Sequence, residues 1–161
     1  MFIKNILVLL IIIHLKSELM YKQEVSKDNE LIGNIIIDKI NLDMPLYNIN
    51  SKNNNIEKNV TILKESILPP SKESIIFLAA HSGTSKISYF DNLDKLNIND
   101  TIILTINNKK YTYQIKNIYK QKKNGYININ KDKENQLILT TCDPNNDKYQ
   151  LIINSIKKEF T

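Results

Sequence analysis

The chain has 161 residues, an apolar fraction of 42% and no tryptophan, which fits one modest domain with a single core and leaves no room for a second catalytic domain. Its 22 basic residues are all lysines, there is no arginine, and 17 acidic residues leave a net charge of +5. The lysines are scattered, without the clustering and aromatic interleaving of a nucleic-acid groove, and heavy use of Lys, Asn and Ile is what an AT-rich coding sequence produces, so no nucleic acid is expected as a partner.

Lys4 precedes an apolar run at residues 6–13, the length of a signal-peptide core. A full membrane span needs about 20 apolar residues, and here His14 and Lys16 interrupt early. No small-x-small cleavage site follows in Ser17-Glu-Leu-Met-Tyr21, which favours an uncleaved anchor over a removed leader. Lys4 on one side and Lys16 and Lys22 on the other give no clear orientation, and His14 reads as an interfacial residue. The expected organisation is an anchor over residues 1–15, a polar stalk over 16–30 and a folded domain over 31–161. The domain is expected to face outward from the cell membrane, or to be secreted if the leader is cleaved.

Beyond the stalk the chain reads as short β-strands between turn-rich spacers, with little helical periodicity. Residues 32–40 open the series, and Pro45 makes residues 44–49 an edge or a strand start, because proline lacks a ladder donor. Residues 48–59 form a polar crossover with room for one helical turn around Ile56 and Val60, followed by a strand at 61–63 and a break at Pro69-Pro70. The continuous apolar run at 74–81 predicts a strand buried on both faces. Strands at 101–106, 110–119, 137–141 and 149–156 bring the set to about eight, with Asn107-Asn108 as a hairpin turn, since Asn tolerates positive φ. The fold class is therefore all-β, and so many short strands favour a closed eight-stranded barrel with short helical connections.

Cys142, in Leu137-Ile-Leu-Thr-Thr-Cys142-Asp-Pro144, is the chain's one cysteine, so it has no internal disulfide partner. His81 ends the strand at 74–81. A thiol near its ordinary pKa is mostly protonated at neutral pH, and a neighbouring imidazole shifts it toward thiolate or later protonates a leaving group. The alternatives are a buried structural thiol and a histidine capping a core strand.

These residues, with their order and context, resemble the sortases, the membrane-attached cysteine transpeptidases of Gram-positive bacteria. Gly33-Asn-Ile-Ile-Ile-Asp-Lys-Ile40 followed by Met44-Pro-Leu46 is similar to the family's opening strands, and Ala80-His81-Ser-Gly83 to its histidine motif. Phe90-Asp-Asn-Leu93 and Leu96-Asn-Ile-Asn-Asp100 match the lead into the next strand, with Asn99 where glycine is common. Ile138-Leu-Thr-Thr-Cys142 is the most specific match, similar to the family's Thr-Leu-x-Thr-Cys.

The resemblance implies that Cys142 attacks the Thr-Gly carbonyl of a C-terminal sorting signal such as Leu-Pro-x-Thr-Gly, and that His81 protonates the departing amine. Surface proteins bearing such signals and an amine acceptor such as a peptidoglycan precursor are the implied partners. The implied chemistry needs no metal or organic cofactor. Thr141 and Gln150 are the expected substrate contacts. Gln150 stands where the family has an arginine that contacts substrate and the developing oxyanion, so it also enters the expected catalytic set as a weaker, neutral donor. Lys148, two residues earlier on the same strand face, is an alternative positive charge. Loss of the arginine motivates a second reading, a sortase-fold protein that binds sorting signals without turnover. A third, a cysteine hydrolase of another fold, lacks a downstream histidine or a Gly-rich nucleophile elbow.

The stretch before Ile32 has no aspartate-aromatic lid motif and no hydrophobic helix follows Phe160, which argues against a pilin polymerase. Residues 122–136 form the loop before the cysteine strand, where Asp132 and Glu134 are expected to be solvated rather than calcium-binding. Tyr89 and Phe90 are expected to pack beneath the histidine loop.

Overall fold

A computed structural model describes residues 10–20, 30–129 and 135–159. Residues 10–20 are helical with exposed side chains, and this helix crosses the expected boundary between anchor and stalk. Residues 6–9 of the apolar run, residues 21–29 of the stalk, and Asp132 and Glu134 lie outside the described residues. Among the described residues no helix is long and apolar enough to cross a membrane.

The domain is built from β1 (Leu31–Ile37), β2 (Leu42–Tyr47), β3 (Thr61–Ile62), β4 (Ile75–Ala79), β5 (Thr101–Ile106), β6 (Lys109–Lys122), β7 (Gln136–Asp143) and β8 (Asn146–Lys157). They form one sheet of eight strands in the order β2-β1-β5-β6-β8-β7-β4-β3. The two end strands, β2 and β3, approach each other, so the sheet curls into a nearly closed barrel. Pro45 lies on β2, an end strand, where its missing N–H costs no central ladder bond.

Alternation decides what fills the barrel. Ile102, Leu104 and Ile106 of β5 point inward, as do Ile35 and Ile37 of β1, Ile76 and Leu78 of β4, and Leu137 and Leu139 of β7. The β5–β6 hairpin turns through Asn107 and Asn108, with φ of 49° and 63°, the left-handed pair that a two-residue turn demands. Asn99 is also left-handed, with φ of 76°, so asparagine does there what glycine would do. Gly33 is required for space: a Cβ on it would lie 1.8 Å from the carbonyl oxygen of Thr105 on β5.

Two expectations change. Strand β4 is not buried on both faces, because Ile75 and Phe77 are only half-buried on its outer side. Strand β6 runs to Lys122 rather than 119, its last residues held in register by β8. The crossover before β3 does make its single helical turn, closed by Asn59 N–H donating to Asn55 C=O at 2.9 Å. Phe90 is buried and donates its N–H to the carbonyl of His81 at 2.9 Å, while half-buried Tyr89 donates its hydroxyl to Lys58 C=O at 2.9 Å.

Candidate active site

Strands β4 and β7 are parallel neighbours, with Ala79 opposite Thr140. Both chains therefore leave the sheet at the same rim, and His81 and Cys142 each lie two residues beyond that pair. Two side-chain bonds join the strand ends. Thr141 Oγ1 donates to Ala80 C=O at 2.8 Å, and Ser82 Oγ, just after the histidine, donates to Cys142 C=O at 2.8 Å. In β7, Cys142 is the exposed residue of a strand otherwise buried from end to end. That contrast does not suit a structural thiol, which is normally covered.

His81 Nε2 lies 3.0 Å from Glu57 Oε1, on the loop between β2 and β3. A carboxylate there accepts the ring's Nε2–H, and in that neutral tautomer Nδ1 is the proton acceptor. Lys123 Nζ lies 3.1 Å from Cys142 Sγ. Neither Glu57 nor Lys123 is evident from sequence.

Gln150 is opposite Cys142 in the β7–β8 register, so the position expected to carry the missing arginine is beside the thiol. Its carboxamide is already engaged: Nε2 donates to Tyr126 C=O at 3.3 Å, and Oε1 accepts from Thr140 Oγ1 at 3.4 Å. Lys148 is exposed, and its carbonyl accepts the Lys123 N–H at 2.9 Å. Thr141 is buried, and its hydroxyl bond to the histidine strand makes it a strut between the two strand ends.

Asp143, directly after the cysteine, is buried at a register shift in the β7–β8 pairing. The Lys120 ammonium, 2.9 Å away, holds its carboxyl below the usual carboxylate range against the opposing effect of burial, helped by the Asn145 N–H. This pair fixes the turn that carries β7 into β8.

An open cleft of about 490 Å³ is lined by Ser82, Gly83, Lys123, Cys142, Asp143 and Asn146 among others. A second, of about 500 Å³, is lined by Leu63, Glu65, Phe77, Gly125, Tyr126 and Ile127. Tyr126 connects the second cleft to Gln150, and so to the thiol's neighbour.

The model of the sortase domain matches residues 35–156, a span that includes every strand contributing to this rim. The chain belongs to the sortase family. Sortases are generally cysteine transpeptidases acting on sorting-signal proteins and amine acceptors. Among solved structures, the chain is similar to sortase C1 of Streptococcus agalactiae, at 28% identity and a TM-score of 0.70, covering 81% of this chain and 69% of that one. It is also similar to sortase C from Clostridium perfringens SM101, at 25% identity and a TM-score of 0.66, over 83% of this chain and 72% of that one. A lid mutant of sortase A from Corynebacterium diphtheriae shares the fold at 22% identity and a TM-score of 0.70, over 83% and 73% of the two chains. No curated protein matches the sequence significantly.

Proposed function

We propose that this sortase cleaves a C-terminal sorting signal between Thr and Gly and transfers the acyl chain from Cys142 to an amine, anchoring surface proteins to the cell wall. The observation that carries this reading is the arrangement of Cys142 and His81 on adjacent parallel strand ends, joined by the Ser82 hydrogen bond to the cysteine carbonyl. Cys142 thiolate adds to the Thr carbonyl carbon, and the carbonyl π electrons move to oxygen. Collapse of that oxyanion re-forms the carbonyl and breaks the C–N bond, and the departing glycine amine takes the proton that His81 accepted from the Cys142 thiol. The incoming amine then attacks the thioester, gives its proton to His81 and releases Cys142 as thiolate. The apolar lining of the second cleft, Leu63, Phe77 and Ile127, suits the apolar Leu-Pro end of such a signal. The N-terminal apolar run would tether the domain to the outer face of the membrane.

The test is incubation of the full chain with a Leu-Pro-x-Thr-Gly peptide and an amine acceptor, with intact-mass detection of an acyl adduct on Cys142. A Cys142-dependent adduct and ligated product are expected, and neither with Cys142→Ala. A second reading, binding without turnover, is favoured by the engaged carboxamide of Gln150 and the absence of arginine. Saturable peptide binding with no adduct would replace the first reading by the second.

A further inference from the structure

The chain has no arginine, and the residue in the expected arginine position spends its amide on Tyr126 and Thr140. Yet Cys142 is not without a cation. Lys123, immediately after β6, places its ammonium 3.1 Å from Sγ. Its backbone is pinned by the N–H bond to Lys148 C=O at 2.9 Å, so the lysine stem starts from a fixed point on the β8 neighbour. Lysine and thiol line the same cleft.

We propose that Lys123 is a catalytic residue of this sortase, the cation that replaces the missing guanidinium by approaching the thiol from β6 instead of β8. The inference rests on the transpeptidase reading for its second half only. In the free enzyme the ammonium stabilises the Cys142 thiolate, which holds for any electrophile. When the thiolate has added to a carbonyl, the new oxyanion is one bond from the carbon attached to Sγ, within reach of an ammonium already in contact with that sulfur. An ammonium has three N–H donors on a flexible stem, so it can follow the negative charge from sulfur to oxygen without giving up a proton. A guanidinium fork would offer two fixed donors instead, so the lysine version is looser in orientation while keeping the charge.

The experiment measures the rate at which iodoacetamide alkylates Cys142 in the full chain, by intact mass, for wild type, Lys123→Gln, Lys123→Arg and Lys148→Gln. At neutral pH, Lys123→Gln is expected to react about fivefold more slowly, the size of a unit-charge interaction at contact distance in water-like surroundings. At strongly alkaline pH, where the thiol ionises unaided, the difference should vanish, which a merely distorted site would not reproduce. Lys123→Arg should stay close to wild type. Equal rates for wild type and Lys123→Gln at neutral pH, an equal deficit in the arginine variant, or a deficit in Lys148→Gln instead, would each overturn the assignment. Alkylation requires no sorting signal, so a protein that never ligates peptide still reports on the pair. Unchanged alkylation together with full ligation by Lys123→Gln would remove Lys123 and leave the transpeptidase reading standing.

Discussion

Replacing Thr141 by valine keeps the shape and β-branching of the side chain and deletes one hydroxyl. That hydroxyl donates to Ala80 C=O at 2.8 Å from a residue only 6% exposed, so water does not readily take its place. Losing a buried hydrogen bond and stranding its acceptor costs about 1–2 kcal/mol. For a domain of this size that corresponds to a fall in Tm of about 3–8 °C. The loss should also be local. Beyond Ala79 the backbone link between β4 and β7 is the Ala80 N–H to Thr140 C=O bond, long at 3.4 Å, so the hydroxyl bond closes the ladder where the ladder itself is weak. Calorimetry gives the Tm, and hydrogen exchange should find the Ala80 amide less protected while amides in the middle of β4 are unchanged. Thr141→Ser, which keeps the donor, should keep the Ala80 protection. A valine variant with wild-type Tm and wild-type exchange at Ala80 would mean that the strand ends are held by the backbone alone, and the strut argument would fail.

Two further perturbations probe the frame. Asp143 is held below the usual carboxylate range by Lys120, so its contribution to stability is present above the ordinary carboxylate pKa of about 4 and is lost as pH falls through the lower folded value. Lys120→Met should therefore be less stable than wild type at neutral pH, with the gap in urea midpoint closing under acid conditions; a gap that stays constant with pH would refute the pairing. Gly33→Ala places a Cβ against backbone at 1.8 Å, where no rotamer change gives relief, and should destabilise by about 3 kcal/mol in urea unfolding, a result that a near-wild-type midpoint would contradict.

Most of the strand positions along the chain were open to reading because strands such as β5 follow period-two alternation and because asparagines mark the turns, as at Asn107-Asn108. The thiol and the imidazole were legible for a similar reason: each ends a strongly apolar run, Leu137-Ile-Leu before Cys142 and Ile75-Ile-Phe-Leu-Ala-Ala before His81. Lys123 was not. The end of β6 with the residue that follows it, Lys120-Gln-Lys-Lys123, is polar and carries no alternation, and a register shift between Ile115 and Asn117 breaks the pattern that precedes it. Its extension exists because β8 pairs with it through Lys122 opposite Tyr149, a long-range fact that no local window contains. Glu57 was hidden in the same way, since a turn residue 24 positions before His81 meets it only through the folding of the crossover.

The chemistry at this rim follows from strand direction more than from any single motif. Strand β7 is parallel to β4 and antiparallel to β8, and β8 is antiparallel to β6, so β4, β6 and β7 all run toward the same edge of the barrel. The residues that follow or close those strands are His81, Lys123 and Cys142, an imidazole, an ammonium and a thiol delivered to one edge by three separate strands. Had β4 paired with β7 antiparallel, Ala79 would point its following loop to the opposite rim and no side chain on that loop would reach the sulfur. Register sets the remaining condition. Cys142 is exposed between buried Thr141 and buried Asp143, so sliding β7 by one residue would turn the sulfur into the interior and present a carboxylate or a strut in its place. The Lys120 bond to Asp143 and the Thr141 bond to Ala80 both oppose that slip, one on each side of the nucleophile. Weakening either should therefore lower thiol reactivity without touching the thiol, and weakening both should cost more than the sum if they guard one register.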